Sequence, residues 1–317
     1  MCRALDSWRP QRAGDAVGGI SRSMAVAWLR ASRLAAQSYI APPLLLGQLW
    51  ALFLGADFDG AICGWLMLFG LFDQLFIVYS NDYADRGADA LNRTPTLFSG
   101  GSRVLVEAVL TPRALGRAAA ATALLTFSTG AVLAFGFGRP LSLPLGVLAL
   151  LLMWAYSFPP LSLSYRGGGE LLQALGVGFC LPLFGFYNQA GTLEGLPWAL
   201  LVALLPTHLA CAAATSLPDA DGDRAAGKHS ASVVLGRDGA RRAIWVLHAL
   251  TIASMAVLPA EALAPSLALL GLPALATVGF ALGALGSAGS PRLTVQVGLA
   301  VAATLLTVLV AIAAVLP

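Results

Sequence analysis

The reading of this chain turns on LFDQLFIVYSNDYADRGAD, residues Leu71–Asp89. The first half is apolar enough to lie in a membrane. The second half sets Asn81, Asp82, Asp85 and Asp89 at the edge of that apolar run. If the helix continues across the junction, Asp82, Asp85 and Asp89 stand at i, i+3 and i+7 and share one face. Asn81 and Asp85 are i, i+4 neighbours on the same helix. Like charges packed this closely repel, so the array costs stability unless a cation binds it.

The surrounding composition explains why acids at such an edge matter. The chain has 317 residues, of which 58% are hydrophobic and only 11% charged, with mean hydropathy +0.78. Soluble domains carry about 25% charged residues. An integral membrane protein is expected, with the lipid bilayer as its partner and no nucleic acid. Cys2, Cys63, Cys180 and Cys211 lie far apart and form no C-x-x-C, which argues against a thiolate metal site or a disulfide framework.

A membrane-spanning helix needs about 20 mostly apolar residues. Nine segments qualify, at about 34–56, 61–80, 115–136, 141–158, 170–190, 196–216, 242–259, 263–286 and 293–316. The expected fold is an all-α membrane protein with nine transmembrane helices in residues 26–317. Residues 1–25 read as a polar, disordered tail and not as a signal peptide.

The basic residues fix the orientation. With nine spans, 18 of the 19 Lys and Arg fall on one side and only Arg139 on the other. The loops opposite, GADFDGAI, QAGTLEGLP and LPAEALAP, hold acids but no base. By the positive-inside rule, the N-terminus and the basic loops are cytoplasmic and the C-terminus is outside, in a bacterial-type inner membrane.

Two long cytoplasmic loops open with acids. The second is PDADGDRAAGKHSASVVLGR, residues 218–237, where Asp219 and Asp223 are i, i+4. Carboxylates without His or Cys select a hard cation such as Mg²⁺. Two such clusters facing each other suit a diphosphate held between metal ions, with Arg93, Arg103, Arg224 and Lys228 available for its remaining charge. DADGD is no calcium loop: glycine takes its fourth position and Ser230 its twelfth.

Taken together, these residues resemble the UbiA superfamily of intramembrane prenyltransferases. Asn81-Asp82-x-x-Asp85-x-x-x-Asp89 resembles the family's first signature. Asp219-x-x-x-Asp223, followed by RAAGK and VVLGR, resembles the second, and the likeness extends through YSFPPLSLSYRGGGELLQALGVGFCLPLFGFYNQAG. The resemblance implies a nine-helix bundle around a central cavity open to lipid, and Mg²⁺-dependent transfer of a prenyl group from a polyprenyl or shorter isoprenoid diphosphate to an aromatic acceptor. It implies metal binding through Asn81, Asp82, Asp85, Asp89, Asp219 and Asp223, with Asp85 and Asp219 central to catalysis. The metals draw off diphosphate and leave an allylic carbocation, which requires a dry, electron-rich cavity; Tyr79, Tyr83, Tyr156 and Tyr187 are candidates for its wall.

The segment SYRGGGE with Arg166, and Gln74, resemble the menaquinone-type, dihydroxynaphthoate branch. Val78 and Thr215-Ser216 depart from that branch's pattern. Arg33 at the start of span one is placed to reach phosphate or acceptor. Asp73 lies two turns inside span two, where an acid is expensive and functional by default, so it joins the catalytic candidates. Two other readings compete. A terpene cyclase on the same scaffold would form product without an aromatic acceptor. A transporter would place acids within spans and show an inverted repeat, and Asp73 is the one mid-span acid.

Overall fold

The computed structural model describes residues 20–256, apart from Thr94 and Leu97, together with 267–283 and 290–315. The described chain is almost wholly helical. Helix α1 spans Ile20–Ser32, a 3₁₀ segment covers Leu34–Tyr39, and α2 follows at Ala41–Phe53. Next come α3 at Gly60–Leu91, α4 at Pro112–Ala131 and α5 at Ser142–Ser157. The short α6, Leu163–Arg166, leads to α7 at Gly169–Leu175, which runs through a π turn into α8 at Leu181–Ala190. Helix α9 spans Trp198–Ser216, followed by the short α10 at Ala220–Ala226 and α11 at Ala231–Val234. The bundle closes with α12 at Gly236–Ala256, α13 at Gly271–Gly283 and α14 at Ser290–Val315.

Local chemistry sets the ends of these helices. Asp59 caps α3, its Oδ1 accepting from the amides of Ala61 and Ile62 at 2.8 and 3.0 Å. Thr111 caps α4 in the same way, with Pro112 at the first helical position. Helix α5 stops at Ser157 because Phe158 precedes Pro159, and a residue before proline is driven to the extended region (φ −115°, ψ 151°). Gly47 of α2 and Gly185 of α8 let these two helices touch backbone to backbone. A Cβ on Gly47 would overlap the Pro182 carbonyl, and one on Gly185 the Leu44 carbonyl.

The expected segments and the observed helices differ in instructive ways. The first, 34–56, is broken: its opening six residues form the 3₁₀ segment, and Pro42 and Pro43 start a fresh helix. Helix α1 begins at Ile20, within the stretch expected to be tail, while residues 1–19 lie outside the described residues. The LPAEALAP loop and the facing ends of segments seven and eight also lie outside them. Among the described residues, five helical stretches are long and apolar enough to cross a membrane: Gly60–Leu91, Pro112–Gly136, Gly169–Ala190, Trp198–Ser216 and Arg292–Val315. Ser142–Ser157 and Gly271–Leu282 are apolar but shorter. Helix α2 has only 13 residues, and α12 opens with Arg237, Asp238, Arg241 and Arg242 in its first two turns.

The outer surface carries large apolar side chains, with Leu124, Phe135, Val202, Leu275 and Val295 all more than half exposed. Such a belt is costly in water and suited to lipid. Inside, Leu44, Leu66, Phe69 and Phe184 pack together beside the cavity described next.

Candidate active site

The decisive local fact is that α3 does not stop where the apolar run ends. It continues for 32 residues to Leu91, so the acids of its last three turns stand on a rigid rod anchored deep in the bundle. Asn81, Asp85 and Asp89 face a cavity of about 260 Å³. Asp219, at the start of α10, and Asp223 within it line the same cavity from the opposite side. The two clusters, more than a hundred residues apart in the chain, therefore meet at one end of one chamber. Further in, its walls are apolar: Phe69, Ile77, Leu145, Leu152, Val177 and Phe184.

Specific hydrogen bonds hold the clusters together. Asn81 Nδ2 donates to Asp85 Oδ2 at 2.9 Å. Lys228 Nζ donates to the same oxygen at 2.7 Å and lies 3.8 Å from Asp223 Oδ1, bridging the clusters with one buried positive charge. Asn92, just past the end of α3, donates to Asp219 Oδ1 at 2.6 Å. The Gly100 amide donates to Asp219 Oδ2 at 3.2 Å, and Ser230 Oγ to Asp223 Oδ2 at 2.7 Å. Gly100 and Gly101 adopt positive φ, 80° and 65°, which lets the 98–102 turn lay its backbone against the carboxylates.

The electrostatics follow from burial. Burial, reinforced by Asp223, pushes the Asp219 carboxyl up to about 7, against the pull of Lys228. Burial also raises Asp223, again opposed by Lys228. Burial alone would lower Lys228, but Asp85, Tyr156 and Asp223 outweigh it and hold the ammonium above its ordinary value. The site is short of positive charge.

The remaining expected residues divide into two groups. Arg33, Asp73, Gln74 and Tyr156 line the cavity. Gln74 Nε2 donates to the Ser32 and Arg33 carbonyls at 3.1 and 3.4 Å, fixing the turn where Arg33 takes left-handed backbone (φ 42°). Asp82, Arg103, Arg166 and Arg224 are absent from the lining. Asp82 accepts from the Ser102 amide at 3.1 Å and lies 3.6 Å from Arg33, so it ties the turn to α3. Arg103 donates to the Asp89 carbonyl at 3.2 Å. Arg166 is exposed, and Arg224 lies 3.8 Å from Asp221 at the surface. Of the other tyrosines, Tyr79 bonds Ser32 and Tyr83 sits under Arg86. Tyr187 accepts from the Leu141 amide at the far end of the bundle.

Sequence reasoning passed over Asn92, Glu170 and Ser230 as site residues. Asn92 had one signal, standing three residues after Asp89. Glu170, whose Oε1 accepts from the Ala231 amide at 2.6 Å, clamps the α6–α7 corner to the second acidic loop. That pairing joins residues 61 positions apart, and no local pattern announces it.

Residues 40–290 match the model of the UbiA prenyltransferase family. The chain belongs to the UbiA prenyltransferase family. No curated protein matches it in sequence. Among solved structures it is similar to an apo UbiA homologue from Aeropyrum pernix K1, at 21% identity and TM-score 0.66, over 86% of this chain and 95% of that one. It is also similar to a UbiA homologue from Archaeoglobus fulgidus bound to DMAPP and Mg²⁺, at 20% identity and TM-score 0.64, over 90% and 99%. A structure of an Archaeoglobus fulgidus homologue bound to GPP and Mg²⁺ aligns with TM-score 0.58 at 18% identity, over the same 90% and 99%. At these identities the likeness establishes the UbiA fold. Family membership makes the chain a prenyltransferase.

Proposed function

We propose that this enzyme transfers a prenyl group from an isoprenoid diphosphate to an aromatic quinone precursor, with Mg²⁺, in the menaquinone-type branch. One observation carries the reading. Asp85 of α3 and the Asp219–Asp223 pair converge at the polar mouth of a cavity whose depths are mostly apolar, with Asp73 and Gln74 as polar exceptions. That shape matches a substrate with an anionic head and a hydrocarbon tail.

The residues fit Mg²⁺. All the donors are oxygens, Asp85 Oδ1 is buried with no hydrogen-bond partner, and Lys228 already bridges the carboxylates as a tethered cation. Among the described residues no three Asp, Glu, His or Cys side chains form a ready-made cage. Mg²⁺ does not require one, because it keeps several waters and takes one or two carboxylates beside substrate phosphate. Asn81, Asp85, Asp89, Asp219 and Asp223 would hold it, with Asp82 setting the turn behind them. When bound, the ion supplies Lewis-acid neutralisation of the departing diphosphate.

The chain's own residues do the rest. Lys228 and Arg33 meet phosphate charge at the mouth. Phe69, Leu152, Val177 and Phe184 exclude water from the allylic cation, and Tyr156 presents its ring nearer the mouth. Residues 26–317 act as one prenyltransferase domain with nine crossings. The N-terminus and both acidic loops lie on the cytoplasmic face of a bacterial-type inner membrane, with the C-terminus outside. Two features support that orientation. The α3–α4, α5–α7 and α9–α12 connections gather at the Asp85 end, through Asn92–Asp219 and His229–Tyr165 contacts. Arg139, the one base assigned to the other side, donates to the Asn188 carbonyl at the opposite end.

The test is transfer from labelled allylic diphosphates by purified protein in detergent, with and without Mg²⁺. It uses a panel of aromatic acceptors and one tube without any. Mg²⁺-dependent transfer to dihydroxynaphthoate is the expected result. Transfer only to other acceptors removes the branch assignment. A cyclic hydrocarbon formed without acceptor makes the chain a cyclase, and no diphosphate release from folded protein overturns the reading.

A further inference from the structure

One charged group in the cavity has no part in holding diphosphate. Asp73 lies on α3 eight residues before Asn81, roughly 12 Å deeper at 1.5 Å per residue. It is 3% exposed and lines the chamber beside Phe69, Gln74, Cys180 and Phe184. Its Oδ1 is buried with no hydrogen-bond partner. Among the described residues no base pairs with it: the cations of the lining, Arg33 and Lys228, are engaged with Asp82, Asp85 and Asp223 at the mouth. Cys180 is the titratable neighbour that the opposite wall presents.

A carboxyl group at this depth, without a partner, destabilises the empty protein. A ligand that brings a hydrogen-bond donor removes that cost. An isoprenoid tail has no donor, so the donor belongs to the second substrate. Acidic groups on that substrate are disfavoured beside Asp73 by like charge. A hydroxyl is accepted, and a site built to bond a hydroxyl strongly rejects the analogue that lacks it.

We propose that Asp73 is a specificity-determining anchor that accepts a hydrogen bond from a hydroxyl of the aromatic acceptor, at the apolar end of the cavity. This rests on the prenyltransferase reading above. The spacing suits it, since roughly 12 Å of helix separates the anchor from the diphosphate end. A fused-ring phenol spans that interval between the allylic carbon and Asp73.

The experiment uses the full chain in detergent, loaded with Mg²⁺ and a non-hydrolysable geranyl thiodiphosphate. Equilibrium binding of labelled dihydroxynaphthoate and of its O-methyl ethers is measured for wild type, Asp73→Asn and Asp73→Leu. The expected result is at least tenfold weaker binding of the diphenol to Asp73→Leu. That variant should also lose the wild type's preference over the ethers, while thiodiphosphate binding changes less than twofold. Asp73→Asn, which keeps an acceptor oxygen and the volume, should retain part of the preference. Unchanged diphenol binding in Asp73→Leu overturns the proposal, as does a wild type that takes up thiodiphosphate but no diphenol. An equal loss of thiodiphosphate binding in both variants also overturns it, because Asp73 would then serve the diphosphate end. A wild type that binds no thiodiphosphate with Mg²⁺ fails the prenyltransferase reading itself.

Discussion

The two ends of the bundle treat their buried carboxylates and carboxamides differently. At the end where α3 begins, the carboxylate and carboxamide side chains of Asp59, Gln48, Gln189 and Asn188 are paired, although the Trp50 indole N–H is buried without a hydrogen-bond partner. Asp59 caps α3, Gln189 donates to Gln48 Oε1 and to the Asp59 carbonyl at 3.1 Å each, and Ser142 donates to Asn188 Oδ1 at 2.6 Å. At the end where α3 finishes, Asp82 Oδ1 and Asp85 Oδ1 are buried without hydrogen-bond partners, and one lysine serves two carboxylates. Buried polar groups are ordinarily satisfied, so the first end is architecture. At the second end, buried carboxylate oxygens stay unsatisfied.

Four experiments sharpen or break that contrast. The largest effect belongs to the unsatisfied end. Asp85→Ala or Asp219→Ala should reduce prenyl transfer by roughly a thousandfold, the scale of losing electrostatic stabilisation of a leaving group, as read from labelled product. Near-normal rates would show that the acids are surface decoration.

Next, Lys228→Met should lower stability by about 3 kcal/mol, because it leaves buried carboxylates uncompensated. Thermal unfolding in detergent is the readout. Mg²⁺ should raise the melting temperature of this variant more than that of wild type, since the ion supplies the missing charge. Equal shifts would mean that lysine and metal do not share a position.

At the satisfied end, Gln189→Leu should cost about 1–3 kcal/mol, the penalty for stranding buried partners. Activity per folded molecule should stay at wild-type level. A selective fall in activity with normal stability would erase the distinction between the ends.

The smallest effect lies on the surface. Arg30 and Glu107 form a two-pronged pair at 2.8 and 2.9 Å, yet both are about two-fifths exposed. Glu107→Gln should change stability by less than about 1 kcal/mol, and less still in high salt. Arg30 lowers the Glu107 carboxyl below its ordinary value. Its contribution is therefore present above the unfolded carboxylate's pKa and disappears as pH falls through the folded one. Denaturant midpoints of wild type and Glu107→Gln should converge over that acid window.

Part of the acidic end of the cavity was legible in the sequence because helical periodicity is local. The spacing predicts Asp82, Asp85 and Asp89 on one face and Asn81 beside Asp85; α3 does continue, but Asn81, Asp85 and Asp89 line the cavity and Asp82 does not. Asp219 and Asp223 were legible for the same reason. The groups that complete the site were not, because they depend on chain returning from a distance. Gly100 reaches Asp219 across 119 positions through a backbone amide, which every residue except proline carries. Lys228 was read as a phosphate ligand from its place after the second motif. Its ion pair with Asp85, 143 positions away, is a fact of packing. The break at Leu34–Tyr39 was missed because hydropathy alone does not register the helix restart that Pro42 and Pro43 impose.

Asp73, Asn81 and Asp85 ride on one uninterrupted helix, while much of the chamber's apolar wall, Leu145 and Leu152 of α5 and Leu181 and Phe184 of α8 among it, comes from other helices. The interval between the two polar ends is thus written into covalent structure, like marks on a ruler. Side chains on α5 and α8 can change during evolution, widening or narrowing the chamber for new acceptors and tails, without moving those marks. A single-residue insertion within residues 74–81 would instead turn one end by about 100° relative to the other, so indels there should be purged while substitutions around them drift.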